Sequence, residues 1–226
     1  MEIWEMNTWE LIKTGGPIMA PILLCSLFAL TIVIEKLIHL AMVSTDMQRF
    51  KTTLFEYVKN NQIKEAIDFC DSNPSPVAKV LKAGIVKFGC SREEIKEALE
   101  DASLFEIPKL EKRLNALATI ANIAPLLGLL GTVTGIAGSF HTIQVRSTSL
   151  NPVTPGDLAG GIWEALITTV AGLMVAIPTF VAYNYLVSRI NNIILEMERC
   201  ATELVYFLCQ IVEDHPRKRE DYRLEI

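Results

Sequence analysis

The chain has 226 residues, half of them hydrophobic, and a positive mean hydropathy of +0.32. A soluble domain of this length is seldom so apolar, and the apolar residues are gathered into long runs of the kind that cross membranes as helices. The net charge of −5 and the lack of a basic run with interleaved aromatic residues argue against nucleic acid as a partner. We therefore predict an all-α integral membrane protein with three transmembrane helices.

The N-terminal arm, residues 1–16, starts with acidic residues and lacks the basic region of a secretory signal peptide. We therefore expect the first apolar run to be retained as a membrane anchor. This first transmembrane helix is predicted at 17–40 and follows the Gly-Gly-Pro sequence at 15–17. Glu35 and Lys36 mark the end of its apolar stretch.

Residues 41–113 are soluble in character and are predicted to form a cytosolic helical segment. Apolar residues recur there at helical spacing, which predicts amphipathic helices at 46–60, 62–70 and 92–104. Asn-Pro-Ser-Pro at 73–76 predicts a turn. Ser91, followed three residues later by glutamate, predicts a capping box at the start of the third of these helices.

The second and third transmembrane helices are predicted at 114–140 and 158–187, joined by a polar periplasmic loop at 141–157. The C-terminal segment, 188–226, is predicted to begin with a further amphipathic helix at 188–213. We expect the second and third transmembrane helices to extend into the cytosolic helical bundle.

Basic residues predict the orientation, because Lys and Arg are enriched on the cytoplasmic side of membrane proteins. Segment 41–113 carries twelve of them and the chain from residue 188 onward carries six, whereas the N-terminal arm and the polar loop carry one each. The N terminus is therefore predicted to be periplasmic and the C terminus cytoplasmic.

The second span carries a stripe of glycines on one helix face, spaced three, four and three residues apart. They are Gly128, Gly131, Gly135 and Gly138. Small residues on one face let another helix approach closely within lipid, so the stripe predicts helix packing. A second small-residue face, which includes Gly172, runs along the third span. Pro125 and Pro178 predict bends, since proline removes a helical hydrogen bond.

Three threonines and one glutamate are the polar candidates within these spans. Thr132 lies beside the glycine stripe, and Glu164, Thr168 and Thr169 lie in the third span. Glu164 is the one carboxylate inside either span, and an intramembrane ionisable residue is a functional candidate by default. The plainer alternatives are threonines bonded to their own helix and a glutamate that snorkels to the interface. Hydroxyls on two successive spans favour a polar path between helices.

No span contains a carboxylate near its middle, and threonine hydroxyls cannot store a proton near neutral pH. If the protein conducts protons, a partner must supply the deep carboxylate. The motifs GxSxG, Walker and HExxH are absent, so no enzyme activity is predicted. The five cysteines form no CxxC pair and no histidine lies at ligand spacing from one, so we predict free thiols and no metal or cofactor.

Two stretches, APLLGLLGTVTGIAGSF at 124–140 and LAGGIWEALITTVAGLMVAIPTFVAYNYL at 158–186, resemble the MotA/TolQ/ExbB proton-channel family. The count of three spans resembles the ExbB and TolQ branch, because flagellar stator subunits have four. The resemblance implies a homopentamer in the inner membrane of a Gram-negative bacterium. It also implies a smaller ExbD- or TolR-like partner, whose single span carries an essential aspartate inside the pore.

The resemblance places Thr132, Glu164 and Thr169 along the pore or at its mouth, while Thr168 adds a hydroxyl where enteric members have alanine. It implies that protons pass Glu164, reach the partner's aspartate opposite the threonines and leave to the cytosol. An ExbB-like role with a TonB-like client, powering outer-membrane uptake, is favoured by the Gly-Gly-Pro and Thr-Val-Thr-Gly sequences. The alternatives are a TolQ-like role with a TolA-like client in outer-membrane integrity, a gliding- or secretion-linked variant, and a non-conducting membrane scaffold.

Overall fold

A computed structural model describes residues 14–44, 47–147 and 154–214. Over these residues the chain forms seven α-helices and no β-strand. In chain order the helices are α1 (Met19–Ser44), α2 (Met47–Lys59), α3 (Ile63–Asp71), α4 (Pro76–Val86), α5 (Arg92–Glu111), α6 (Leu114–Ser147) and α7 (Pro155–Asp214).

Three stretches are long and apolar enough to cross a membrane. They lie within Met19–Leu40, Arg92–Arg146 and Leu158–Ile211, so that α1, α6 and α7 supply the three spans. The predicted fold class, an all-α membrane protein with three transmembrane helices, is confirmed.

The third span and the amphipathic helix predicted at 188–213 form one helix, because α7 continues through this segment and is 60 residues long. This agrees with the expectation that the third transmembrane helix extends into a helical bundle. No glycine or proline lies between Pro178 and the end of α7, so nothing in the backbone interrupts it. The polar loop predicted at 141–157 is helical up to Ser147, where α6 ends, and again from Pro155. Its central residues, 148–153, lie outside the described ranges.

The chain divides into two compact units. The first, which we call the membrane unit, consists of Met1–Lys36 and Arg113–Tyr185. The second, which we call the helical unit, consists of Leu37–Lys112 and Leu186–Ile226. Helices α1 and α7 contribute residues to both units, whereas α2 to α5 belong to the helical unit alone.

The helical unit has an apolar core to which both its short helices and α7 contribute. Its largest fully buried side chains are Leu54, Leu81, Ile85, Ile95, Leu110, Leu186, Ile190, Met197, Leu204 and Leu208. Phe50 and Phe69 stack with their ring centroids 5.2 Å apart. At the surface, Lys51 and Glu203 form an ion pair of 2.9 Å. Burial of apolar side chains is therefore what holds this unit together.

Side chains cap the starts of two helices in this unit. The Ser91 hydroxyl accepts a hydrogen bond from the Glu94 amide at 3.2 Å, while the Glu94 carboxylate accepts one from the Ser91 amide at 2.9 Å. The predicted capping box is confirmed. Helix α4 starts in the same manner, because the Ser75 hydroxyl accepts a hydrogen bond from the Ala78 amide and Pro76 occupies the first turn. The sequence analysis did not predict α4.

All five cysteines are free, as predicted. Cys70 and Cys200 are buried, and burial raises the pKa of the Cys70 thiol to about 12. Burial also raises the pKa of Cys200, although the charge of Lys51 acts in the opposite direction. Because the thiolate is the reactive form, both thiols are protonated and unreactive near neutral pH.

Arg113 joins α5 to α6 in a left-handed backbone conformation, with φ of 70°. Its guanidinium forms an ion pair with Glu35 in the C-terminal part of the first span. A left-handed conformation costs about 1–2 kcal/mol in any residue except glycine. We therefore expect Arg113→Gly to be more stable than Arg113→Ala, since both lose the ion pair but only the glycine variant loses the strain. Thermal unfolding of the two variants in one detergent measures this difference, and equal stability would contradict a left-handed joint.

Candidate functional site

Helices α6 and α7 approach each other closely in the membrane unit because glycines line their contact. A methyl group added to Gly128 would lie 3.0 Å from Cα of Thr169, and one added to Gly135 would lie 2.8 Å from the carbonyl oxygen of Gly161. One added to Gly172 would lie 2.6 Å from the carbonyl oxygen of Ala124. At these three positions backbone faces backbone, so no side chain fits.

Gly138 differs from the other glycines of the stripe. A methyl group added there would meet no other atom within 4 Å. The side chain of the neighbouring Ser139 is buried instead, and its hydroxyl donates a hydrogen bond to the Gly135 carbonyl at 3.1 Å. Ser139 also occupies the space beside Gly161. Within one chain, therefore, the helix contact in the C-terminal part of α6 is formed by Ser139 and Gly161, which the sequence pattern did not single out.

Thr168 is closed off inside the chain. Its side chain is only 1% exposed and fills the space above Gly131, where an added methyl group would overlap it. Its hydroxyl donates a hydrogen bond to the Ala165 carbonyl of its own helix at 2.8 Å. In this position Thr168 contributes to helix packing and presents no hydroxyl to the outside of the chain.

Thr169 has a different environment, because its hydroxyl connects the two helices. It donates a hydrogen bond to the Gly128 carbonyl on α6 at 3.1 Å, and the side chain is only partly buried. In a regular helix the Gly128 carbonyl also accepts a hydrogen bond from the backbone amide of Thr132. The Thr132 hydroxyl donates to the Leu129 carbonyl at 2.7 Å. The oxygen of each hydroxyl therefore keeps a lone pair that can accept a hydrogen bond from a further donor.

Glu164 lies one turn before Thr168 on α7, against the turn that leads into α1. A methyl group added to Gly16 would overlap its carboxylate, so the carboxylate rests directly on the Gly16 backbone. The side chain is partly exposed, and none of the described residues forms a hydrogen bond or ion pair with it. Nor do the described residues form a group of His, Cys, Asp and Glu side chains suited to a metal ion.

The two prolines lie inside continuous helices. Pro125 is within α6 and Pro178 is within α7, and both helices continue beyond them. Each proline lacks the amide that would bond to the carbonyl four residues earlier, so the carbonyls of Ala121 and Met174 lose their helical donors. Pro178 is exposed and borders an apolar groove of about 380 Å³ between α1 and α7.

The remaining outer surface of the two spans is apolar. Exposed side chains at membrane depth include Leu126, Leu129, Val133, Leu166, Val170 and Ile177. No Asp, Glu, Lys or Arg occurs between Leu114 and Val145 or between Ala165 and Ser188. The polar groups of the two spans are therefore uncharged: they are hydroxyls, backbone carbonyls and side-chain amides such as those of Asn122 and Asn184.

The model of the MotA/TolQ/ExbB proton channel family matches residues 72–199, more than half of the chain. The chain belongs to this family. The matched region contains α6 and most of α7, and thus includes Thr132, Glu164 and Thr169 together with the glycines between the two helices.

Individual relatives agree with the family match. The chain is 32% identical over 209 residues to the putative biopolymer transport protein ExbB-like 3 of Synechocystis sp., covering 91% of this chain and 97% of the relative. It is 30% identical over 190 residues to a putative biopolymer transport protein ExbB homolog of Methanothermobacter thermautotrophicus, covering 84% and 66%. It is 45% identical over 89 residues to the Tol-Pal system protein TolQ of Haemophilus influenzae, covering 39% and 37%.

The two ExbB-like relatives align over 91% and 84% of this chain, and the TolQ relative aligns over 39% of it. The chain is a proton-channel subunit of the ExbB-like kind, which converts proton motive force into mechanical work.

Proposed function

We propose that five copies of this chain surround the single span of a smaller partner, and that this partner carries the titratable aspartate of the proton path. The observation that carries the proposal is the α6–α7 pair. It holds the hydroxyls of Thr132 and Thr169 beside an apolar surface in which no carboxylate lies at depth. Hydroxyls on an apolar surface can orient a proton but cannot bind one near neutral pH. The titratable carboxylate that binds the proton must therefore come from another chain.

In this proposal the membrane unit spans the bacterial inner membrane with its N terminus in the periplasm. Basic residues near the span ends support this orientation: Lys36, Lys109, Lys112, Arg113 and Arg189 flank one side. The ion pair between Arg113 and Glu35 lies at the same end of the first span. The helical unit is then cytosolic.

The residues of the site take separate roles. Glu164, near the outer end of the third span, attracts protons from the periplasm, since a negative charge raises the local concentration of cations. Thr132 and Thr169 face the partner's aspartate and bond to it or to water beside it. Protonation neutralises the aspartate and removes its cost of facing an apolar wall, which allows the partner to move. We assign Thr168 to helix packing, because it is enclosed within the chain.

Exposed apolar groups outside the predicted bilayer support assembly into an oligomer. Leu104 and Phe105 on α5 are 70% and 74% exposed, and Tyr206 on α7 is 64% exposed. Helices α5 and α7 also enclose a cleft of about 610 Å³ beside Leu104 within the helical unit. Large exposed apolar side chains in a water-facing unit are typical of surfaces that other subunits cover.

The ExbB-like assignment implies a TonB-like client and uptake across an outer membrane. A TolQ-like role, with a TolA-like client and outer-membrane integrity, remains the second candidate, because the aligned segment of the TolQ relative is 45% identical. The third candidate, a non-conducting scaffold, requires the glycine contacts but neither Glu164 nor Thr169.

Reconstitution with the partner tests the proposal. The chain is co-expressed with a single-span protein that carries an intramembrane aspartate and is sought in the neighbouring reading frames. The complex is placed in liposomes, and proton flux after an acid jump is followed with an internal pH dye. We expect flux that disappears when the partner's intramembrane aspartate is changed to asparagine. A complex of normal composition whose flux survives that change would refute the proposed role of the partner, and a complex without flux in either form would support the scaffold.

A further inference from the structure

The turn that leads into α1 contains two adjacent glycines in special positions. Gly16 has φ of 64°, a left-handed conformation that other residues rarely adopt. Its carbonyl accepts a hydrogen bond from the Met19 amide at 3.2 Å, and the Pro17 carbonyl accepts one from the Ala20 amide at 3.3 Å. This turn therefore connects directly to the first turn of the helix.

The same turn lies against α7. A methyl group added to Gly16 would overlap Oε1 of Glu164 and lie 3.0 Å from Cδ and 3.8 Å from Cγ. A methyl group added to Gly15 would lie 3.5 Å from Cγ2 of Ile167. Glu164 and Ile167 are three residues apart and therefore occupy one face of α7. Gly16 is therefore the glycine that lies directly against α7, whereas an added methyl group at Gly15 would be crowded chiefly by Met19 of α1.

Packing against Gly16 determines the position of the Glu164 carboxylate, because none of the described residues forms a hydrogen bond or ion pair with it. A glutamate side chain has several rotatable bonds and would otherwise sample many positions. The bare Gly16 backbone leaves a space that the carboxylate fills, and any side chain at residue 16 removes that space.

We propose that Gly16 is a positioning residue for Glu164: the glycine turn of the first span holds the carboxylate at the outer end of the third. This inference rests on the proposed function for the role of Glu164 in collecting protons. It gives the first span a part in the proton path in addition to anchoring. The simpler alternative is that residue 16 is glycine only because of its left-handed backbone.

A double-mutant cycle separates the two explanations. Gly16→Ala introduces both a clash with Glu164 and backbone strain. Glu164→Asp shortens the acid by one methylene group, which relieves the clash but has no effect on the strain. Glu164→Gln keeps the length and removes the charge, so the clash remains. Gly160→Ala is the matched control, because it lies one turn from Glu164 on α7 and a methyl group there meets nothing within 4 Å.

The position of the carboxylate is measured first, without reference to conduction. The full chain in its complex is treated with a water-soluble carbodiimide and glycine methyl ester, and the rate of amide formation at Glu164 is followed by mass spectrometry. We expect Gly16→Ala to raise this rate about threefold or more, within the range of coupling found for residues in contact. Gly160→Ala should leave the rate unchanged. An unchanged rate in Gly16→Ala would overturn the inference.

Proton flux through the reconstituted complex is measured second. In the chain with the native Glu164, we expect Gly16→Ala to lower proton flux strongly. In the Glu164→Asp background the same substitution should lower flux by less than twofold, whereas the Glu164→Gln background should show no such relief. Equal losses in the glutamate and aspartate backgrounds would indicate backbone strain alone and overturn the inference. If Gly16→Ala fails to insert, recovery of insertion in the double variant with Glu164→Asp supports the inference, and failure to recover overturns it.

The two measurements also separate this inference from the proposed function. A labelling rate that changes while the flux does not would support the contact between Gly16 and Glu164. It would at the same time refute the role of Glu164 in collecting protons. The placement of the side chain and its use are therefore tested independently.

Discussion

Gly172→Ala is expected to destabilise the α6–α7 pair by about 1–3 kcal/mol, the usual range for overpacking a close contact. The added methyl group would lie 2.6 Å from the Ala124 carbonyl oxygen, 3.1 Å from Cα of Gly128 and 3.2 Å from its nitrogen. All three are backbone atoms, which cannot rotate away as a side chain does, so the helices must separate. Thermal unfolding of the complex in a single detergent measures the loss.

Gly138→Ala is the matched comparison, because a methyl group there meets nothing within 4 Å in the chain. We expect the alanine to leave the stability of the helix pair unchanged. From glycine spacing alone, Gly138 would be expected to pack against α7 like the other glycines of the stripe. The two variants therefore test whether the contacts in the structure, and not the spacing, determine the effect of alanine. Equal destabilisation by both alanines would mean that the contact extends further along α6 than described.

Thr169→Val is expected to lower proton flux through the reconstituted complex by about 10²-fold, the lower end of what a positioned proton-transfer group contributes. Valine has nearly the same shape as threonine, so the helices still pack, but the hydroxyl that we assign to the proton path is lost. The Gly128 carbonyl keeps its helical partner, and the lost hydrogen bond costs only about 0.5–1.5 kcal/mol of stability. In the Thr169→Val variant we therefore expect proton flux to fall while the complex still assembles.

Two substitutions control for this effect. Thr169→Ser keeps the hydroxyl and should retain most of the flux. Thr134→Val removes a hydroxyl that is exposed on α6 and bonded only to the Leu130 and Gly131 carbonyls of its own helix. That variant should conduct normally. A Thr169→Val complex with full flux, or a Thr134→Val complex that loses it equally, would contradict the assignment of Thr169 to the proton path.

The membrane helices are predictable from sequence, because a long apolar run has few alternatives in a bilayer. Helix α4 is harder to predict. Seven of its eleven residues are buried, and the less buried Lys79, Lys82 and Val86 recur at helical spacing. The prolines at 74 and 76 indicate a turn in the same stretch and so obscure this short helical pattern. The extension of α7 beyond the third span is predictable, because the change from an apolar to an amphipathic pattern near residue 188 occurs without a glycine or proline that would break the helix.

The candidate site is only partly predictable for a similar reason. The sequence places Thr168 and Thr169 together, but adjacent residues on a helix point about 100° apart. One of them is therefore enclosed against Gly131, while the other bonds to Gly128 on the neighbouring helix. The contact between Gly16 and Glu164 joins residues that are 148 positions apart in the sequence. Local patterns cannot indicate such a pair.

The enclosed contact between Gly131 and Thr168 has an evolutionary consequence. The threonine side chain occupies the volume that glycine leaves vacant, so the two positions share one fixed space. A larger residue at 131 is compatible with close helices only if a smaller one replaces Thr168. Along the history of the family, a residue larger than glycine at 131 is therefore expected only in members whose residue at 168 is smaller than threonine.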